Sequence, residues 1–165
     1  MIKLFSLTAN AHLVPLSRTS CRALAQYVVT EEDIYCNLDA VVQLSNLLPG
    51  PLVLRDSDRG GGYGLAARQT YKKDELITRY GGVVVRDPRE LIRGDYVAAC
   101  GKSDIIIDGH WGFTLAEKGR WINESDAQRS IVNVKISRLG VYATRAIAQD
   151  EWLFADYGDE YERVY

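Results

Sequence analysis

Cysteine is scarce in this chain of 165 residues: three, at Cys21, Cys36 and Cys100, with no Cys-x-x-Cys pair among them. That spacing excludes a local zinc knuckle, gives no disulfide framework and favours a reducing compartment, nuclear or cytoplasmic. The two histidines, His12 and His110, lack metal-ligand spacing, so no metal site is expected. No apolar run approaches the length of a membrane-spanning helix, so no membrane partner is expected. Positive charge is not in excess either. Lys and Arg number 20 against 22 Asp and Glu, a net charge of −2, which leaves no surplus to release counterions from a polyanion. Direct nucleic-acid binding is therefore not expected. What is present, 47% hydrophobic and 25% charged residues, suits a globular chain with one real core and a short appendage.

The first residues, Met1-Ile-Lys-Leu-Phe-Ser-Leu, carry a charge before an apolar stretch, and Ala9-Asn-Ala11 resembles a small-residue cleavage site. Ser6, Thr8 and Asn10 interrupt the apolar stretch, which argues against a cleaved targeting signal. Further on, helical signals dominate up to Pro49-Gly50-Pro51. Ser20 is a candidate cap for a helix over 21–29, and Thr30 for another, with Glu31, Glu32 and Asp33 in its favourable first turn. Residues 39–48 place Val41, Val42, Leu44, Leu47 and Leu48 at helical spacing. The Pro-Gly-Pro sequence is the clearest boundary, dividing a helical extension over 1–50 from a second unit over 51–162.

Beyond it, short strands are expected over 52–55, 64–70, 76–85, 96–100, 104–108, 131–137, 141–145 and 152–157, punctuated by Gly, Asp and Pro. The last two read as a hairpin delivering Tyr157 to an acidic, glycine-containing end. Helical turns are expected only at 87–93 and 114–119. The class is mainly β, α+β, with short N-terminal helices.

Three segments invite a chemical reading, and each has an ordinary alternative. Gly60-Gly-Gly-Tyr-Gly64 lets backbone approach a ligand closely, or forms a surface turn. Gly62-x-Gly64-x-x-Ala67 also mimics a dinucleotide fingerprint, which would make the chain an oxidoreductase. That motif needs a helix directly after the glycines, and the sequence offers a turn and a strand instead. Arg120-Trp-Ile-Asn-Glu-Ser125 supplies Asn123, a donor and acceptor able to grip an amino-acid head group, or else simply turns. Ala155-Asp-Tyr157-Gly-Asp-Glu-Tyr161 supplies a tyrosine that orients a reacting group, or else merely packs.

Their order, Gly-x-Gly, then Arg-aromatic-Ile-Asn, then Asp-Tyr-Gly, resembles the SET-domain family of protein-lysine methyltransferases. The resemblance runs from about Leu52 to Tyr161 and includes Ile105-Ile-Ile-Asp108-Gly109 and the approach Val141-Tyr-Ala-Thr-Arg-Ala-Ile. It implies several small twisted sheets with a C-terminal segment threaded under a loop. It also implies S-adenosyl-L-methionine as cofactor and a basic protein or peptide, such as a histone tail, as substrate. Gly62, Tyr63 and Gly64 would line the cofactor through backbone, with Asn123, Glu124 and Tyr157 also in the cofactor site. Tyr157 would be the catalytic residue at the methyl-transfer pore, and Tyr96 and Ala155 would line the substrate channel.

The chain departs from the family pattern at Asn123-Glu124-Ser125-Asp126, where Asn-His-Ser-Cys is usual. At Ala155 the family often has Phe or Tyr, and a smaller residue would widen the pocket and favour higher methylation states. No cysteine-rich segment follows the domain, so another segment or a partner is expected to complete the channel. These departures motivate a rival expectation, a catalytically inactive SET-like module that binds a peptide.

Overall fold

The computed structural model describes residues 18–56, 62–91, 96–99, 106–125 and 131–158. The possible leader, Gly60 and Gly61, Cys100, the start of the strand expected over 104–108, Asp126 and the acidic residues after Gly158 lie outside them.

The first helix, α1 (Arg18–Ala25), starts earlier than expected, so Ser20 lies inside it rather than capping it. It also ends before Val28, which forms an antiparallel bridge with Thr114. The Val29 N–H donates to the Phe113 carbonyl at 2.9 Å. The next two expected helices are one, α2 (Glu31–Asn46), kinked where Asn37 leaves helical geometry (φ −138°, ψ 27°). Thr30 caps it as expected, and Asp33 returns the bond to the Thr30 N–H in a reciprocal capping box. The Tyr27 hydroxyl donates to the same carboxylate at 3.0 Å, tying the approach to α2 to its first turn. Past the cap, Ile34, Val41 and Val42 recur on one face and enter the same core as Val53, Leu65, Leu153 and Ala155.

Among the described residues ten short strands follow: β1 (Leu52–Asp56), β2 (Gly62–Ala66), β3 (Leu76–Arg79), β4 (Val83–Val85), β5 (Val97–Ala99), β6 (Ile106–Asp108), β7 (Asn123–Glu124), β8 (Val134–Ser137), β9 (Gly140–Ala143) and β10 (Trp152–Ala155). They form three small sheets, ordered β1-β2-β10-β7, β3-β9-β8 and β4-β6-β5. The mainly β expectation holds, but several boundaries move. The glycine segment begins a strand at Gly62 rather than Gly64 and ends at Ala66. The stretch over 76–85 is two strands, because Gly82 takes φ +152° and a Cβ there would lie 2.2 Å from the Asp108 carbonyl oxygen. One-turn 3-10 helices occupy Pro88–Glu90 and Gly119–Trp121, the second of these later than the turn expected over 114–119.

The expected hairpin of 141–145 with 152–157 does not form. β9 pairs with β3 and β8, whereas β10 is inserted between β2 and β7 in another sheet. The tight hairpin is β8–β9, turning through Arg138 and Leu139, both in the left-handed region (φ 48° and 62°). Because β10 leaves its neighbour in sequence, it can lie parallel to β7, with Phe154 opposite Asn123 and Ala155 opposite Glu124. That pairing draws the asparagine and tyrosine segments together.

Candidate active site

Lateral neighbours in a sheet project to the same face, and successive residues alternate. In β1-β2-β10-β7 this sorts the motif residues. Leu54 and Asp56 share a face with Gly62 and Gly64, with Trp152, and with Phe154 and Asn123. Val53, Leu65, Leu153 and Ala155 share the opposite, core-facing side. The site-facing surface is thus nearly bare along β2.

Gly64 shows why. Its Cβ would lie 2.9 Å from Asn123 Nδ2 and 2.9 Å from the Trp152 ring. The Asn123 side chain passes over this glycine and donates from Nδ2 to Asp56 Oδ2 at 3.4 Å, across the two intervening strands. Any side chain at position 64 would obstruct that reach. At Gly62 the situation is different: among the described residues no atom lies within 4 Å of a Cβ position. Among the described residues the surface over Gly62 is open, with the Asn123 amide and the Asp56 carboxylate on the same face of the sheet. A bare backbone cradle with those groups fits a small zwitterionic head group such as the amino-acid part of S-adenosylmethionine.

Tyr63 points the other way. Its hydroxyl makes a short hydrogen bond to Asp39 on α2, which also receives Arg55 NH2 at 2.9 Å. Its ring meets Trp121 edge-on at 5.5 Å and lies under the Arg55 guanidinium at 4.9 Å. Partial burial, then Asp39, raises the Tyr63 hydroxyl above the usual tyrosine range. The bond from Tyr63, aided by Arg55, lowers the Asp39 carboxyl. Only the backbone of Tyr63 is therefore presented on the side of Gly62 and Gly64.

Tyr157 packs against the core with its hydroxyl donating, in a short bond, to the Ile122 carbonyl, the residue before Asn123. The Ser125 N–H donates to the Ala155 carbonyl at 3.1 Å, so β7 and β10 stay in register past both motifs. Glu124 is half-buried opposite Ala155. Ala155 itself is 1% exposed, its methyl group against packed side chains.

Tyr96 lies against the buried Arg120, whose guanidinium carbon is 4.0 Å from the Tyr96 ring centroid and 4.4 Å from that of Trp121. Arg120 NH1 donates to the His110 carbonyl at 2.6 Å. Burial depresses the guanidinium pKa, while Tyr96 and, less strongly, Tyr80 and Asp108 oppose that shift. This cation–π stack fixes the short helix Gly119–Trp121 that leads into Asn123.

Gly64, Asn123 and the Tyr157 hydroxyl thus meet around one end of the β2-β10-β7 sheet. Sequence reasoning passed over Asp56, Trp152, Asp39 and Asn133. The first two acquire their place from strand register, which no local motif announces. Asn133 offered a weak signal as a polar residue before a β-branched run.

The dinucleotide reading fails on structure: Gly62–Ala66 is an antiparallel strand between β1 and β10, with no helix after the glycines. An α+β chain of small sheets with this Gly, Asn and Tyr arrangement has the architecture of a SET domain. The SET domain family model matches residues 62–158, more than half of the sequence, and the chain belongs to that family. Among solved structures it is similar to ATXR5, crystallised in complex with histone H3.1 mono-methylated on R26. The identity is 26% and the TM-score 0.54, over 84% of this chain and 70% of that one. No curated protein matches the chain.

Proposed function

We propose that this chain is an S-adenosylmethionine-dependent protein-lysine N-methyltransferase. The observation that carries the reading is the meeting of Gly64, Asn123 and Tyr157 through the parallel β7–β10 pair. S-adenosylmethionine supplies an activated methyl group on a sulfonium centre. The remaining tasks fall to the chain. The β2 backbone at Gly62 and Gly64 and the Asn123 amide hold the amino-acid end. Glu124 takes the position of the family's histidine beside the adenosine.

Tyr157 orients the attacking amine and faces the developing charge, its ring held by the Ile122 carbonyl. A lysine amine must be neutral to attack, and desolvation in a narrow aromatic channel favours that form. Tyr96 and Ala155 are the proposed channel residues. Ala155 would act through packing, because its methyl group is sealed in the core.

A basic peptide is the favoured substrate class, and the histone complex of ATXR5 supports it. Exposed Asp150 and Asp156 could contribute to such an interaction. Glu151 is less available, being engaged by Arg145 NH2 at 2.5 Å and Asn133 Nδ2 at 3.0 Å. Its partial burial works to raise the carboxyl pKa, but these bonds and the Ala148 N–H outweigh that and lower it.

Calorimetry with S-adenosylmethionine and methyl transfer to mixed histones, comparing wild type with Tyr157→Phe, test the reading. Wild type is expected to bind and to transfer, and the variant to lose activity by about 10²-fold or more. Absence of binding by folded protein sinks the proposal. Binding without transfer in wild type assigns the chain to the inactive peptide-binding class, and transfer indifferent to the substitution removes Tyr157 from its role.

A further inference from the structure

On the site face β2 presents almost nothing of its own: Gly62, Gly64 and Ala66 occupy its alternate positions. Trp152 of β10 pairs laterally with Ala66 and covers what β2 leaves empty. Its ring carbons Cζ3 and Cε3 lie 2.9 Å and 3.4 Å from where a Gly64 Cβ would stand, and Asn123 Nδ2 lies 2.9 Å from the same point. The indole and the amide are thus laid side by side on one bare stretch of backbone. Gly64 is buried, whereas Gly62, two residues earlier on the same face, is exposed. Phe154, directly opposite Asn123, bounds the amide along the sheet.

The hydrogen bond from Asn123 Nδ2 to Asp56 is 3.4 Å long, a separation at which N–H···O bonds are weak. Such a bond alone does not fix the two side-chain torsions of an asparagine. A rigid ring in the adjacent space does, by removing competing rotamers.

We infer that Trp152 is a positioning residue for cofactor binding: its indole, lying across Gly64, holds the Asn123 amide ready for the amino-acid end of S-adenosylmethionine. The inference rests on the methyltransferase reading and adds to it how the amide is ordered before the cofactor arrives. Asn123 makes the contact, and Trp152 acts through it by reducing the side-chain entropy lost on binding. The amino-acid end is unchanged by methyl transfer. The effect therefore falls equally on substrate and product states, appearing in KM and in product affinity with kcat nearly unchanged.

A double-substitution cycle tests this, read by calorimetry with S-adenosylhomocysteine and by KM for S-adenosylmethionine. Trp152→Ala should weaken cofactor affinity by about 3–10-fold in the otherwise wild-type chain, the scale of ordering one side chain. In the Asn123→Ala background the same change should have almost no effect, because no amide remains to be held. Trp152→Phe, which keeps a flat ring, should fall between wild type and Trp152→Ala, and it completes the cycle if the alanine variant does not fold. Equal weakening in both backgrounds overturns the inference, because the ring then acts on the ligand or the fold without the amide. So does an affinity that both Trp152 substitutions leave unchanged, or a fall in kcat without a rise in KM. A folded wild type that binds no S-adenosylhomocysteine sinks the underlying methyltransferase reading instead.

Discussion

Lys118 has no exposed surface, and its ammonium donates to the Pro51 carbonyl at 2.8 Å and the Leu48 carbonyl at 3.2 Å. Arg68 reaches the same turn, donating to Leu48 O at 3.0 Å and Asn46 O at 2.6 Å. Two cations thus satisfy carbonyls at the C-terminal end of α2, where the helix dipole favours positive charge. Burial, and secondarily Arg68, pull the Lys118 pKa down from 10.5 to about 7. Between those values the unfolded chain holds more protons than the folded one, so this residue makes stability rise with pH. The penalty is full below pH 7 and disappears as pH approaches the unfolded value. Lys118→Met removes the titration while filling most of the volume. Relative to that variant, wild type should gain ~1–3 kcal/mol between pH 7 and 9.5, measured by denaturant unfolding at both pH values. A difference that stays flat would mean that folded Lys118 keeps its proton throughout.

At the level of elements, the β8–β9 turn places two ordinary residues, Arg138 and Leu139, at positive φ. A two-residue turn of this kind prefers Asn-Gly, and each non-glycine residue there carries a steric cost. Leu139 packs beside the Tyr80 cluster, but Arg138 is exposed and free to change. Arg138→Asn should stabilise the chain by ~0.5–1 kcal/mol, read as a higher thermal midpoint; an unchanged or lower midpoint would refute the strain. The same turn explains why the strand pairing differs from the one the sequence suggests. Its residues carry no glycine or asparagine signal, so the true hairpin was silent in the sequence. Gln149 and Asp150, by contrast, look like a turn joining two paired strands that in fact enter different sheets. Strand existence was legible because β-branched residues cluster between breakers. Partnership was not, because it depends on which sheet buries each face. Similarly, the Thr30 cap was legible from Thr-x-x-Asp, but continuation of α2 through the polar kink at Asn37 was not. In the site, the ordered motifs marked Gly64, Asn123 and Tyr157. Asp56 and Trp152 join them only through the register of β1, β2 and β10.

On the scale of the whole molecule, the small sheets formed by the described residues provide little continuous backbone ladder, so side chains must join them. Asn133 does this more extensively than its place before β8 suggested. Its Nδ2 donates to Trp152 O at 2.7 Å and Glu151 Oε1 at 3.0 Å, and its Oδ1 accepts from the Phe154 N–H at 2.9 Å. Its own N–H donates to Phe154 O at 3.1 Å, and its carbonyl accepts from Thr144 N–H at 2.8 Å. A side chain that is 1% exposed therefore locks the β3-β9-β8 sheet onto β10, the strand carrying Tyr157 toward Asn123. Asn133→Ala would leave the Phe154 N–H and the Trp152 carbonyl without these side-chain partners in a buried setting, at a cost of ~2–4 kcal/mol. For comparison, Lys135→Ala removes only the ion pair with Asp74, whose side chains are both more than half exposed. That change should cost under about 1 kcal/mol. Urea unfolding of the two variants gives the contrast. Hydrogen exchange locates it: in Asn133→Ala the Phe154 and Ser125 amides should exchange faster, whereas the α2 amides should change only as much as global stability does. Equal losses in the two variants, or Phe154 and Ser125 protection that stays as in wild type, would show that β10 is held by its strand partners alone.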